Sequence, residues 1–287
     1  ARFILESLAS PYALAPTQIF LTASIGISVS PADGASVEDL LNALNGADIG
    51  LLAGINGGAT GIDVRTTLSG ADFSIGENGG QSATQLGIRT FLAETRLKSL
   101  KYGQGVTTEA EGVADFTVTR SDGYSFEVSV YGAKTIGDVI DRINAALDSD
   151  GEVAVRARLA ASGNGIELVD TSGGTGSLTV TRVNGSDAAI DLGLVEPGQE
   201  SRSTDASGGD ANVLTGRDVN PQEAGGLFTA LVRLEHGLLN NDTQEIERAL
   251  AMLEEAQTNL TFTRAELGAR QNAIETLQTR LDDEGVA

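Results

Sequence analysis

Two spacings of apolar residues divide the chain. From about residue 27 to 195, hydrophobic and polar positions alternate in short runs, the period of half-buried strands, with brief helical stretches between them. Phe116 and Val118 lead to the turn pair Asp122-Gly123, and Phe126, Val128 and Val130 return with period two, which predicts a hairpin. Ile136, Val139, Ile140 and Ile143 then share one helical face. Val153, Val155, Ala157 and Leu159 alternate toward Gly163-Asn164-Gly165, after which Ile166 with Leu168 and Leu178 with Val180 predict further strands. An earlier stretch is less regular, with Ile62 and Val64 followed by Phe73 and Ile75.

Beyond a polar, Gly-rich stretch at 196–223 the period changes. Leu227, Leu231, Leu234 and Leu238 predict a helix of about four turns ending at Asn240-Asn241. Ile246, Leu253, Leu260, Leu267, Ile274 and Leu281 then recur every seventh residue, the seam of a long helix that supercoils against a partner. The companion positions are weaker: Leu250 is followed in phase by Gln257, Arg264 and Gln271, with Ala249, Ala256 and Leu277 alongside. Such a rod is on the order of 50 Å long at 1.5 Å per residue, about twice the reach of the preceding helix, so its partner is expected from a missing terminal helix or from other subunits. The pattern as a whole predicts an α+β chain, with β-rich units at 27–103 and 104–195, a linker at 196–223 and a helical stalk at 224–287. Residues 1–26 remain unassigned.

The two β-rich units look like copies. Without a gap, Ile27 to Asn45 lies over Phe126 to Asn144, pairing "ISVS" with "FEVS" and Ser36, Val37 and Asp39 with Thr135, Ile136 and Asp138. Further on, Gly61-Ile62-Asp63-Val64 corresponds to Gly165-Ile166-Glu167-Leu168, and Leu86-Gly87-Ile88 to Leu192-Gly193-Leu194. The recurring acids Asp39 and Asp138 invite a reading as paired general acid and base. Ser36-x-x-Asp39 and Thr135-x-x-Asp138 are, however, both helix-start signatures, and capping is the expected role. Asp242 with Glu245 starts the long helix by the same logic.

A formal charge of −21 and an isoelectric point near 4.3 oppose contact with phosphate backbones and anionic lipid, so neither nucleic acid nor membrane is an expected partner. The chain has no Cys, which removes disulfides, thiolate catalysis and Cys-based zinc sites. No run of about 18 apolar residues occurs, and no basic-then-apolar leader. "YGAKT" at 131–135 lacks the glycine spacing of a phosphate-binding loop, and "SGGTGS" and "GENGG" lack the strand and helix that dinucleotide binding needs. His236, the one histidine, has no partner at metal or triad spacing and is expected at a helix surface or interface. No catalytic residue, metal or cofactor is expected.

Residues 227–278, "LFTALVRLEHGLLNNDTQEIERALAMLEEAQTNLTFTRAELGARQNAIETLQ", resemble the C-terminal helical part of the flagellin family, most closely the hook-associated proteins that join hook to filament. Arg264-Ala265-x-x-Gly268-Ala269-Arg270 is typical of it. "KTIGDVIDRIN", "SGNGIELVD" and "AAIDLGL" are similar to the flagellin hook motif, inserted in the outward-facing region of such proteins. The resemblance implies a non-enzymatic, extracellular subunit of the bacterial flagellum. It would be exported unfolded through the flagellar type III system with an export chaperone, then stacked into a ring or tube with copies of itself, flagellin and other hook-associated proteins. The family's N-terminal helices and final C-terminal helix do not appear in this sequence. Because the chain also begins without Met, at "ARFILESLAS", it is expected to be a fragment.

A rival resemblance covers residues 1–50. "ILESLASPYALAPTQIFLTASIGISVSPADGASVEDLL" is similar to the closing strands and helix of a diguanylate cyclase domain, whose metal and nucleotide signature is not in this sequence. Two further readings stand beside the junction subunit: a filament flagellin, and a surface adhesin or carbohydrate-binding module. With 4 Tyr, 8 Phe and no Trp, stacking platforms for sugars are scarce.

Overall fold

The computed structural model describes residues 36–148, 151–205 and 212–285. Helices and antiparallel strands share the chain, an α+β architecture. The sequence element "ISVS" and the whole 1–26 segment lie outside the described residues.

The first unit opens with α1 (Val37–Asn45), whose start is fixed by a capping box: Ser36 Oγ accepts the Asp39 N–H at 3.2 Å and Asp39 Oδ2 accepts the Ser36 N–H at 3.3 Å. It packs on the hairpin of β1 (Leu51–Ile55) and β2 (Ile62–Thr66), whose Ala53 faces Val64. Short strands β3 (Asp72–Phe73) and β4 (Glu77–Asn78) and the single turn α2 (Ser82–Gln85) complete it. Its core is small: Leu40, Leu44 and Ala53, flanked by Leu41, Ile62, Val64 and Leu86.

The second unit holds the main core. Strands β5 (Phe116–Thr119) and β6 (Ser125–Val128) form the hairpin about Asp122-Gly123. Helix α3 (Ile136–Asn144) follows, with Thr135 Oγ1 accepting the Asp138 N–H and Asp138 Oδ2 accepting the Thr135 and Lys134 N–H groups. Those two backbone donors hold the half-buried Asp138 carboxyl below its ordinary range. Then come β7 (Arg156–Leu159), β8 (Ser162–Gly163), β9 (Ile166–Asp170), β10 (Thr179–Arg182) and the turn α4 (Ala188–Asp191). Ile136, Val139 and Ile143 from the helix meet Phe116, Val118, Val128, Leu168, Leu178 and Leu192 in one fully packed cluster.

The stretch 196–223 is not a linker. It supplies β11 (Ser201–Ser203), β12 (Asn212–Thr215) and β13 (Gln222–Glu223), which pair with β10, β9 and β3 respectively. Leu214 and Val219 from this stretch are buried in the core, while Val213 is exposed. Its glycines and polar residues mask a strand pattern too short to read from periodicity.

The two units are also joined. β4 pairs with β8, and a Cβ on Gly76 would stand 2.4 Å from the Gly163 carbonyl carbon, so only glycine permits that approach. Beside it the buried Arg89 donates to the carbonyls of Ala160 (2.9 Å) and Gly163 (3.2 Å). Burial pulls this guanidinium below its usual value, with the Glu77 and Asp218 carboxylates opposing.

One device recurs. Asn45 and Asn144, the last residues of α1 and α3, each clamp the strand that follows. Asn45 exchanges two hydrogen bonds with the Ala53 backbone (2.7 and 3.0 Å), and Asn144 two with Ala157 (2.7 and 2.9 Å). The turns α2 and α4 end alike, with Ile88 and Arg89 donating to Ala83 and with Leu194 and Val195 donating to Ala189. Replacing Asn144 by Ala strands a backbone N–H and C=O and is expected to cost about 1–3 kcal/mol, lowering the urea midpoint at unchanged slope. An unaltered midpoint would mean that water replaces the clamp without loss.

Candidate functional site

After β13 the chain leaves the body as a helical hairpin. Helix α5 (Leu227–Asn240) ends at Asn241, whose left-handed φ of 53° turns the chain, and α6 (Thr243–Gly285) runs back for 43 residues, about 65 Å. Asp242 Oδ1 accepts the Glu245 N–H at 3.1 Å and so caps α6. Gly237 lets the two helices close up at this end, since a Cβ there would lie 2.9 Å from Ile246 Cγ1.

The leucine stripe of α5 is not the buried face, and of its four leucines only Leu234 is even half-buried. Leu227, Leu231 and Leu238 are exposed, whereas Thr229, Ala230 and Gly237 are buried. Small residues bring α5 against the body, where Gly70 donates its N–H to Thr229 Oγ1 at 3.3 Å. His236 is half-buried on the same helix.

The heptad seam divides in two. Ile246 and Leu253 are half-buried near the hairpin turn. Leu260 (58 % exposed), Leu267, Ile274 and Leu281 (68 %) are open, as are Phe262 and Leu277, and every residue from Gln257 to Leu281 is exposed. An apolar stripe of that length in water is unfavourable unless something covers it.

Where the hairpin meets the body, two arginines are enclosed by acids. Arg233 of α5 pairs with Asp72 of β3 and with Glu223 of β13 (3.1 Å). Arg248 of α6 pairs with Glu223 and with Glu245 (2.9 Å). Glu245, expected to close a capping box, thus aims its carboxylate at Arg248 and, at 3.6 Å, at Arg233. The Arg248 guanidinium carbon lies 3.6 Å from the centre of the Tyr102 ring, and the Tyr102 hydroxyl donates to Asp72 at 2.5 Å. Burial and the hydrogen bond to Asp72 push this phenol far above its ordinary value, so it is neutral at any physiological pH. Burial pulls Arg233 down, and the Asp72 and Glu223 carboxylates more than offset it, holding the guanidinium above its usual value.

Tyr102 is delivered by a strained loop. Lys101 and Tyr102 both have left-handed backbones, φ 51° and 59°, which costs non-glycine residues about 1–2 kcal/mol each. Lys101 is held there by its N–H donating to the Val219 carbonyl and its ammonium to Asp191 at 2.5 Å. An open groove of about 900 Å³ runs beside the cluster between residues 99–107 and the Gln244–Glu255 face of α6. Its lining mixes Lys101 and Arg248 with Glu247 and Glu255 and converges on no reacting centre.

The cap acids and the buried Asp115 and Asp170 are occupied. Asp39 and Asp138 each serve the cap of their own helix. Buried Asp115 accepts from the backbones of Glu109 and Val130 and from Ser186, and buried Asp170 from those of Ser121 and Ser172. Among the described residues no group of three His, Cys, Asp or Glu side chains could hold a metal, and no helix is long and apolar enough to cross a membrane. The densest side-chain cluster described is the junction of the helical hairpin and the body. Sequence reasoning missed Asp72, Tyr102, Glu223, Arg233 and Arg248. The available signal was an arginine on the inner face of each helix of the hairpin, the position where a lone cation has to find acids.

Arg248→Ala leaves Glu223 and Glu245 with fewer counter-charges and is expected to destabilise by about 3 kcal/mol, against a smaller loss for Arg248→Lys, which keeps the charge but not the fork. Chemical denaturation of both variants checks this, and equal stability of Arg248→Ala and the parent would show the cluster to be solvent-screened. No family model, curated protein or solved structure matches this chain.

Proposed function

We propose that this chain is a non-enzymatic structural subunit of the bacterial flagellum, of the flagellin family, that joins hook to filament by packing of its helical stalk. The observation that carries the reading is the distal half of α6, where a seven-residue apolar repeat stands uncovered from Leu260 to Leu281. A solvated single helix has no use for Leu260, Leu267, Ile274 and Leu281 in register, whereas a subunit whose neighbours supply the facing helix does.

Two further features support the reading. The paired units, with matching capping boxes, asparagine clamps and closing turns, read as two flagellin hook motifs carried outward on the stalk. The ionic cluster at their base fixes how the stalk leaves them, which a subunit packed in a ring or tube requires. In this reading the partners are flagellin, hook-associated proteins and copies of the chain itself, with an export chaperone before secretion. The protein works outside the cell, after passage through the flagellar export system, and uses no cofactor.

Leu260→Asp tests this reading in two places. Because Leu260 is already open in the free chain, the purified variant is expected to melt as the parent does. In motile cells the same change places an unpaired charge in the assembled seam, and hook-to-filament joining, seen by electron microscopy, is expected to fail. Normal filaments carried on the variant would remove the heptad reading.

A further inference from the structure

The two ends of α6 are complementary to each other. From Gln257 to Leu281 the open helix carries three arginines against two glutamates, and among the described residues no acid pairs with Arg264 or Arg280. The hairpin end is acidic: Glu235 of α5 and Glu247, Glu254 and Glu255 of α6 stand exposed, while its two arginines are enclosed in the cluster with the body. That end is also incompletely covered. Leu231 and Leu238 of α5 and Leu250 of α6 are exposed, and Ile246 and Leu253 are only half-buried. One rod thus holds an uncovered basic stripe and an acidic, partly apolar surface that fits it, but a straight helix cannot bring its own two ends together.

We propose that in concentrated solution the rod pairs with a second copy of this chain, antiparallel, about a two-fold axis between residues 263 and 264. In that register every seam residue meets another: Ile246 with Leu281, Leu253 with Ile274 and Leu260 with Leu267, each pair made twice. Arg280 falls opposite Glu247 of the second copy, and Arg270 within one turn of its Glu254 and Glu255. A parallel pair would set the acidic ends side by side and crowd both bodies at one end of the rods. The antiparallel pair sets basic against acidic and separates the bodies, so charge decides the orientation. With one apolar residue per seven, and Gln257, Arg264 and Gln271 beside it, the seam is narrow and the contact weak, so the dilute chain stays single. The pair is a state of the free protein, distinct from the assembly proposed above, and it hides the seam which that assembly would use.

Sedimentation equilibrium of the purified chain is expected to show a monomer at about 1 μM and a dimer at about 200 μM. Leu267→Asp sets a charge against Leu260 of the second copy and is expected to leave the chain single at both concentrations. Since Leu267 is 61 % exposed in the single chain, the variant is expected to keep the parent's circular dichroism at 1 μM. Orientation is read separately from nitroxide labels, which a chain without Cys accepts at single engineered sites. At 200 μM, Thr263→Cys lies beside the axis and is expected to give a label separation of roughly 10–20 Å, whereas Gln278→Cys, roughly 29 residues along the rod from its counterpart, gives roughly 45 Å. Three results overturn the proposal: a monomer at 200 μM, a dimer that survives Leu267→Asp, or short separations at both labelled positions, which would make the pair parallel. None of these readouts involves hook or filament, so the assembly reading stands or falls separately.

Discussion

The stalk is aimed by two arginines held between three carboxylates. Arg233 and Arg248 come from different helices, and Asp72 and Glu223 from two strands that pair with each other, so the cluster ties four elements at one point. Removing these charges from water is costly, and their mutual attraction repays that cost only because Arg233 meets three acids, Arg248 meets two, and Arg248 also stacks on Tyr102. The strained backbone at Lys101 and Tyr102 is tolerated for the same reason: it is the conformation that presents the ring to Arg248 and the hydroxyl to Asp72. A purely apolar contact would bind the hairpin but leave it free to slide. Directional charges set one angle.

Above this joint the body is built for rigidity. Capping boxes start α1 and α3, asparagine clamps end them, and strands from 196–223 close the sheets over the larger core. Below it α5 covers only the first part of α6, and the remainder presents hydrophobic residues to solvent. Buried apolar contacts are thus concentrated in the body and exposed apolar residues in the distal half of α6.

Much of the fold was readable because its signals are local. The hairpin at Asp122-Gly123, the face formed by Ile136, Val139 and Ile143, and the helix starts at Ser36 and Thr135 all follow from spacing within about ten residues. What failed to show was non-local. Strands β11 to β13 are two to four residues long and owe their existence to partners far away in sequence. The leucines of α5 announced a helix but not its buried face, which small Thr229, Ala230 and Gly237 supply. Glu245 was legible as a cap residue and not as a partner of Arg248, since no spacing rule announces Asp72 or Glu223. The asparagine clamp lay in plain view as the last residue of the gapless match between 27–45 and 126–144, and its meaning needed the strand opposite.

The central claim is that the distal seam of α6 is buried by neighbouring helices in the assembled state. Cysteine scanning from residue 257 to 281, one position at a time in this cysteine-free chain, measures it directly when alkylation of intact flagella is compared with that of free subunits. The account predicts uniform reactivity in the free chain and, after assembly, protection that recurs with the heptad at Leu260, Leu267, Ile274 and Leu281. Reactivity that stays uniform along the helix in the assembled state would contradict it.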